Sequence, residues 1–302
     1  MAPGPDDRTT IVLVTMDRRR EVLETLERLL ALPERAPLIM VDNASADGTA
    51  DAVRAMLPRV TVIALPANQG AAGRNAGVRA ARTPYVAFAD DDSWWAPGAI
   101  ARVGDVLDAW PALGAIASRT LVGPRQRPDP VSTMMAASPL PNDDALPGPA
   151  VLGFVACGAA VRRDAFLAVG GFSDLLDGVG GEEGILAMDL AMAGWGLAYV
   201  DDIVTHHHPS AARDRDARRR SELVNGLVAA WLHRPASLAW GRLADLAEAT
   251  AAGDAVAARA LQSFGPRLPD VLTRRRVVPE WLEERAQLLE SRPADELMAD
   301  HG

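Results

Sequence analysis

Lysine is missing from this 302-residue chain, so all 31 of its strongly basic side chains are arginines. With abundant Ala, Gly and Pro, that composition points to a GC-rich bacterial coding sequence and carries no functional information. Basic residues are also outnumbered by 40 acidic ones. A net charge of −9 argues against nucleic acid as a partner, which would need a basic face for its phosphates. Cysteine is nearly absent. Cys157 stands alone, which excludes an intramolecular disulfide and a multi-cysteine metal site. It reads as a small buried side chain within an apolar strand. No run approaches the roughly 18 apolar residues a membrane span needs. The opening MAPGPDDRTT has neither the basic nor the apolar region of a secretory leader. A cytoplasmic protein is expected. What remains is ordinary globular material, 49% hydrophobic and 24% charged, enough for one large domain with an appendage.

The first half alternates two periodicities. TIVLVT (10–15), LIMVD (38–42), VTVIAL (60–65) and PYVAFAD (84–90) are short β-rich runs. Between and after them lie helical patterns over 19–32, 47–57, 70–82 and 97–110; in the first, Val22, Leu26, Leu29 and Leu30 share one face. Strands separated by helices of this length call for right-handed crossovers and a mostly parallel sheet. Ligands then bind outside the carboxyl ends of the strands. Thr15, Asp17, Asp42 and the Asp90–Asp92 cluster all fall at such ends. The second half differs. Residues 123–150, rich in Pro with Asp and Ser, predict a long irregular loop; VLGFVACGAAVRR (151–163) predicts a strand. A helix follows from about Glu182 to Ala193 and runs into another strand. Beyond HHHPS the pattern is helical, broken at Pro235, Pro266, Pro269 and Pro279.

FADDDSWW (88–95) raises the chemical question, because three adjacent carboxylates repel one another. They form either a solvated turn that caps the next helix or one side of a cation site. Two features favour the second reading. Several polar strand ends converge on one sheet edge. An acidic pair, Glu182 and Glu183, and a histidine triplet, His206–His208, follow further on. Aspartate oxygens with one imidazole suit Mg²⁺ or Mn²⁺, and an acidic site that holds such a metal can bind a diphosphate. On an extended strand His206 and His208 share a face and His207 opposes them, so only one face can address a metal. Trp94 and Trp95 either stack on a sugar or cover the sheet edge; Trp195 reads as packing.

Taken in order, these stretches resemble the family 2 glycosyltransferases. IVLVTMDRR resembles the family's opening strand and Thr-x-x-Arg turn, VDNASADGT (41–49) its VDN-S-DGT motif, and NQGAAGRNAGVRAA (68–81) its N-G-A-RN-G helix. FADDDSWW holds an Asp-x-Asp motif. GGFSDLLDGVGGEEG resembles the acceptor-side GGFDE…GEE segment, and AMAGWGLAYVDDIVTHHH the closing AGW-L-YVP-A-V-H strand. The resemblance covers about residues 9–210. It implies an α/β GT-A fold: a Rossmann-like mixed, mostly parallel sheet flanked by helices, as a catalytic domain over 1–210, with a C-terminal helical extension over 211–302 packed on it.

It also implies roles. Asp42 would meet the nucleobase, with Thr15 and Arg18 along the nucleotide. Arg74 would reach the base or diphosphate, with Asn75 shaping its turn. Asp90 would support the ribose or the metal shell, Asp91 would help with the ribose, and Asp92 would bind the metal directly. Of the three histidines the family spacing favours His207. Glu183 would be the base, with Glu182 beside it. The activity implied is metal-dependent (Mn²⁺ or Mg²⁺), inverting transfer from a nucleotide-sugar donor, UDP first and dTDP second, to a sugar, lipid-linked or small-molecule acceptor. A carboxylate opposite the leaving group takes the acceptor's proton, and the helix N-terminus is expected to keep it ionised. The chain departs from the family at GEEGILAMD, where Ile185 replaces an Asp and Asp189 an Arg, and at TMDRR, where a Tyr-Asn pair is usual. Asp189 is either a second acceptor-side carboxylate or a solvated helix position.

The appendage opens with Arg213, Arg215, Arg218, Arg219 and Arg220, then Leu223, Leu227, Val228, Trp231 and Leu232. It is either a helix packed on the catalytic domain or an interfacial helix at the inner face of a membrane. Its arginines could also hold an anionic acceptor, and the amphipathic tail could support a homodimer. Two other functions compete: a glycosyltransferase-like scaffold without turnover, and a sugar-nucleotide nucleotidyltransferase. The second wants a Gly-rich basic loop after the first strand, where TMDRRREV has no glycine. A nicotinamide dehydrogenase fits less well, because GAAGRNAG lacks G-x-G-x-x-G spacing.

Overall fold

The structure, a computed structural model, describes residues 7–142, 145–176, 178, 180–209 and 215–291. Its strands are β1 (Thr9–Thr15), β2 (Leu38–Asp42), β3 (Val60–Ala64), β4 (Tyr85–Asp90), β5 (Ser93–Trp95), β6 (Leu113–Val122), β7 (Arg127–Pro128), β8 (Ala159–Arg162) and β9 (Gly196–His207). Helices α1 (Arg19–Leu30), α2 (Thr49–Met56), α3 (Arg74–Ala80) and α4 (Ala99–Ala109) connect the first strands. Then come α5 (Pro130–Ala136), α6 (Arg163–Ala168) and α7 (Glu182–Met192). Five more close the chain: α8 (Arg215–His233), α9 (Ala236–Ala251), α10 (Ala255–Phe264), α11 (Leu268–Thr273) and α12 (Glu280–Glu290).

The sheet is mixed, in the order β3-β2-β1-β4-β8-β6-β9-β5, with β7 beside β6. The β3-β2-β1-β4 half is parallel, as the alternation of strand and helix predicts. β8 then runs antiparallel between β4 and β6. Alternation along the strands feeds two cores. Ile11, Leu13 and Met40 pack on one face with Trp95, Ile100 and Leu107. Val12, Val41 and Phe88 pack on the other with Phe166, Phe172 and Leu186.

Three expectations need correction. Residues 123–150 contain α5, started by Asp129, which accepts from Val131 N–H at 2.8 Å, and by Pro130 in the first turn. The 151–163 run is a strand only over β8, because residues 151–158 lead into a 3₁₀ turn, Ala156–Gly158. Cys157 lies in that turn, buried, its thiol pushed up by burial. The ten-residue β6 carries no polar alternation that would mark it in sequence.

A third core joins the closing helices to the rest. Leu227, Val228 and Trp231 of α8 pack with Phe264 and Val271, and with Leu175 and Ile185 of the preceding fold. The apolar face of α8 is therefore spent inside the molecule rather than offered to a membrane. No helix among the described residues is long and apolar enough to span one. Arg213 lies outside the described residues. α12 returns to the sheet layer, where Val278 and Leu282 enter the second core.

Candidate active site

The Asp triplet sits in the tight turn between β4 and β5. β5 pairs antiparallel with β9, setting Ser93 opposite His207 and Trp94 opposite His206. This register brings Asp92 and His207 together: His207 Nε2 lies 3.3 Å from Asp92 Oδ1, and His208 N–H donates to the Asp92 carbonyl at 2.8 Å. His206 and His208 point the other way, onto Trp94, with ring centroids 5.5 and 4.7 Å from it. His206 also bonds Gln126. Trp94 carries Arg28 on its ring at 4.0 Å, so this indole is covered by protein. Trp95 is fully buried and donates to the Phe88 carbonyl at 2.9 Å.

The other two aspartates are occupied differently. Asp91 accepts from Thr15 Oγ1 at 2.9 Å and stands 3.6 Å from Arg18 Nη1. Burial, opposed by Arg18, pushes its carboxyl up to about 7. Asp90 is bound by Arg74. Among the described residues no three His, Cys, Asp or Glu side chains converge to hold an ion by themselves. The expected set Asp90, Asp92 and His207 is thus reduced to the pair Asp92 and His207. That pair still fits Mn²⁺ or Mg²⁺, ions that keep waters and take ligand oxygens from bound phosphates rather than requiring a full protein cage. Arg18 supports the fit with an anion: its Nη1 is buried without a hydrogen-bond partner.

At the ends of β1 and β2, Asp42 is buried and accepts from Ser45. Asp17 holds Ala46 N–H at 2.6 Å with φ +52°. Asn43 accepts from Gln69 N–H at 2.8 Å and donates to the Gly70 carbonyl at 3.0 Å. This pins the 68–70 loop to the sheet edge.

α3 does something its sequence did not reveal. Arg74 was expected at the base or diphosphate, but it is only 3% exposed and lies between Asp90 and Glu182, 3.7 Å from Glu182 Oε1. Asn75 holds Phe172 at both backbone groups, donating to its carbonyl at 2.8 Å and accepting from its N–H at 3.0 Å. Just before α3, Ala71 N–H donates to the Gly178 carbonyl at 3.2 Å. One short segment therefore anchors the 172–182 stretch to the sheet edge at three points.

Glu182 and Glu183 then diverge at the start of α7. Glu182 is 3% exposed and paired with Arg74. Glu183 accepts from Ala156 N–H at 3.2 Å and opens into a pocket of about 280 Å³. The helix end does not act alone on Glu183. Burial, reinforced by Glu182, pushes its carboxyl up to about 8. A helix N-terminus contributes only ~0.3–1 kcal/mol toward ionisation, and burial outweighs it. Asp189 stands apart, 3.5 Å from His233 in a polar cleft of about 510 Å³ with Arg79, Arg274 and Arg276. It does not share Glu183's pocket.

Comparison with known proteins bears on the family and the fold. The family described as Glycosyl transferase family 2 matches residues 10–170, more than half of the chain. Two Rhizobium meliloti (strain 1021) proteins are similar over shorter stretches. Succinoglycan biosynthesis protein ExoO is 35% identical over 103 residues, and succinoglycan biosynthesis protein ExoU is 29% identical over 115. Those stretches cover 33% and 36% of this chain and only 30% and 32% of the relatives. Among solved structures, mannosyltransferase PcManGT from Pyrobaculum calidifontis, in complex with GDP-Man and Mn²⁺, aligns with a TM-score of 0.56 at 20% identity, over 98% of this chain and 88% of that one. GalNAc-T7 with UDP, GalNAc and Mn²⁺ aligns at 0.59 and 12%, over 97% and 56%. S. aureus TarS 1–349 aligns at 0.56 and 13%, over 87% and 71%. The chain belongs to glycosyl transferase family 2 and has the GT-A fold.

Proposed function

We propose that the chain transfers a sugar from a nucleoside-diphosphate sugar to a hydroxyl or amine, with inversion at the anomeric carbon. The observation that carries this reading is the pairing of β5 with β9, which sets Asp92 and His207 together at the carboxyl edge of the sheet, while Arg74 links Asp90 of that edge to Glu182, the neighbour of Glu183. Asp92 and His207 would hold a divalent ion, which stabilises the charge growing on the departing diphosphate. Arg18, whose Nη1 is ion-paired at 3.6 Å with Asp91 but makes no hydrogen bond, would turn that N–H to a phosphate oxygen. Asp42 and Thr15 lie where the base and ribose would rest, at the ends of their strands.

Glu183 takes the proton as the acceptor oxygen or nitrogen bonds to the anomeric carbon. The bond from that carbon to the diphosphate oxygen breaks, and the diphosphate leaves with the electron pair. A carboxylate whose proton affinity lies near neutrality is a stronger base than one at its ordinary value, once ionised. Glu182, bound to Arg74, holds the start of α7 in place and is not itself the base. The complexes formed by PcManGT and GalNAc-T7, with GDP-Man and UDP respectively and Mn²⁺ in both, support a nucleotide donor and a metal without naming the base used here.

The test is calorimetric binding of UDP, dTDP and GDP, each with and without Mn²⁺. Tight binding of one of them that requires Mn²⁺ and is lost in Asp92→Asn supports the reading. No binding under any condition overturns it and leaves a scaffold without turnover.

A further inference from the structure

The pocket into which Glu183 opens is lined mainly by apolar side chains. Val131, Met134, Pro139, Leu152, Phe154 and Leu289 form its walls. Among the described residues Glu183 is its one ionisable group. Its one hydroxyl, on Ser138, is committed to the Ala150 carbonyl at 2.6 Å. Side-chain donors and acceptors that could read a sugar's ring of hydroxyls are therefore missing from this wall, and a polar acceptor would leave its own groups unpaired there.

A second pocket of about 330 Å³ continues from the first, sharing Val151 and Leu152 and lined further by Leu140, Trp195 and Trp281, with Asn142 and Arg285 as its polar side chains. Trp281, Arg285 and Leu289 recur at every fourth residue of α12, so one helix face forms a common wall to both spaces. Among the described residues the apolar surface is left partly open: Val131, Met134 and Trp281 are 40%, 44% and 45% exposed. Contiguous exposed apolar surface at the mouth of a site marks a place where something binds.

We propose that the acceptor is a molecule with an extended apolar body, which lies in this trough along α12 and presents its nucleophilic hydroxyl to Glu183. This rests on Glu183 being the base of the transfer. It narrows the acceptor from any glycan to a hydroxyl joined to a hydrophobic aglycone. The aglycone could be a soluble small molecule or a lipid carrier, two sources of the same chemistry.

The experiment measures binding of methyl, butyl and hexyl 4-hydroxybenzoate, each a hydroxyl on an apolar body, to the full chain, loaded with whichever nucleoside diphosphate and Mn²⁺ it binds, or unloaded if it binds none. Each methylene that enters the trough tightens binding about fourfold, so hexyl should exceed methyl by more than tenfold. Val131→Ser and Met134→Ser, at exposed positions where a substitution leaves the fold intact, should flatten that series. Equal affinity for the methyl and hexyl esters, or a chain-length dependence unchanged in both variants, overturns the proposal. Nucleotide binding in the same samples separates the two readings. If it persists with a flat series, only the acceptor proposal fails; if it is missing, the transferase reading fails with it. A second arm asks whether the chain sediments with phosphatidylcholine vesicles that carry a long isoprenoid alcohol, but not with plain ones. Sedimentation with the former alone supports the proposal with a lipid carrier as the source. Chain-length dependence in solution without sedimentation supports it with a soluble aglycone.

Discussion

The sheet edge proposed for the donor and the trough proposed for the acceptor are built from opposite materials. At the edge, polar side chains are fixed by one another. Asp91 is held by Thr15 and Arg18, Asp42 by Ser45, and Asn43 by the backbone at Gln69 and Gly70. Along the trough the walls are mainly Met, Val, Leu and Trp side chains, several half in solvent, with Arg285 and Glu183 as the charged groups among them. Charged groups that would repel must be preorganised by explicit partners, and the fold supplies those before any ligand arrives. A surface that recognises by area needs only the right shape. Where the two regions meet, Arg74 touches Asp90 on one side and Glu182 on the other.

The sharpest way to separate the two regions is Glu183→Gln. It keeps the shape of the pocket and removes the base, so turnover should fall by about 10²–10⁴-fold while nucleotide affinity stays within about twofold. Single-turnover kinetics beside calorimetry reads both. A variant that keeps near wild-type turnover moves the role of base to another group and dissolves the comparison.

A second large effect concerns stability. Arg234 at the end of α8 bonds Glu283 at 2.7 and 3.0 Å and Glu290 at 2.6 Å, tying α8 to α12 and so fixing the outer wall of the trough. Arg234→Met strands the buried Glu283 carboxylate. It should cost about 3–5 kcal/mol, against less than ~1 kcal/mol for Arg20→Met, whose pairs are at the surface. Urea unfolding checks the contrast. Similar losses for both would show that the α8–α12 tie is solvated.

A middling effect probes the seam. Asn75→Ala frees both backbone groups of Phe172 and should cost about 1–3 kcal/mol. Because the 172–182 stretch carries the start of α7, turnover should fall further than nucleotide affinity does. Equal loss in both would mean that α3 serves the donor edge alone, as the sequence suggests.

That last contrast shows how legible each region was. Donor-edge residues could be read because parallel strands deliver them in order: Thr15, Asp42 and Asp90–Asp92 end successive runs of strand periodicity. The histidine alternation was likewise readable from period two, and the structure turns His207 away from its neighbours toward Asp92. The Arg74–Glu182 pairing is not legible in the sequence, because nothing local says that Glu182, over a hundred residues away, will reach Arg74. The trough was invisible for the same reason. Val131 and Met134 sit in a stretch whose prolines read as loop, although Pro130 starts a helix there. Leu289 and Trp281 come from the far end of the chain. Helical periodicity shows that α12 has a face but not which pocket that face completes.

The smallest predicted effect is a shift in a pH profile, and it tests whether Glu183 and Glu182 act as a unit. Burial and the Glu182 charge hold the Glu183 carboxyl up to about 8. A base must be ionised, so kcat/KM should rise with pH and level off above that value. Folding runs with the opposite sign: the native state keeps this proton between its ordinary value of 4.5 and about 8, so this group's contribution to stability declines as pH climbs through that window. Glu182→Gln removes the like charge and leaves Arg74 less neutralised. Both changes favour an ionised Glu183, and the rising limb should move down by about one pH unit. Asp91, pushed up to about 7, titrates nearby and is the competing source of such a limb. If the limb stays in place in Glu182→Gln but disappears in Asp91→Asn, the profile reports the sheet edge rather than the trough, and the coupling through Arg74 is structural only.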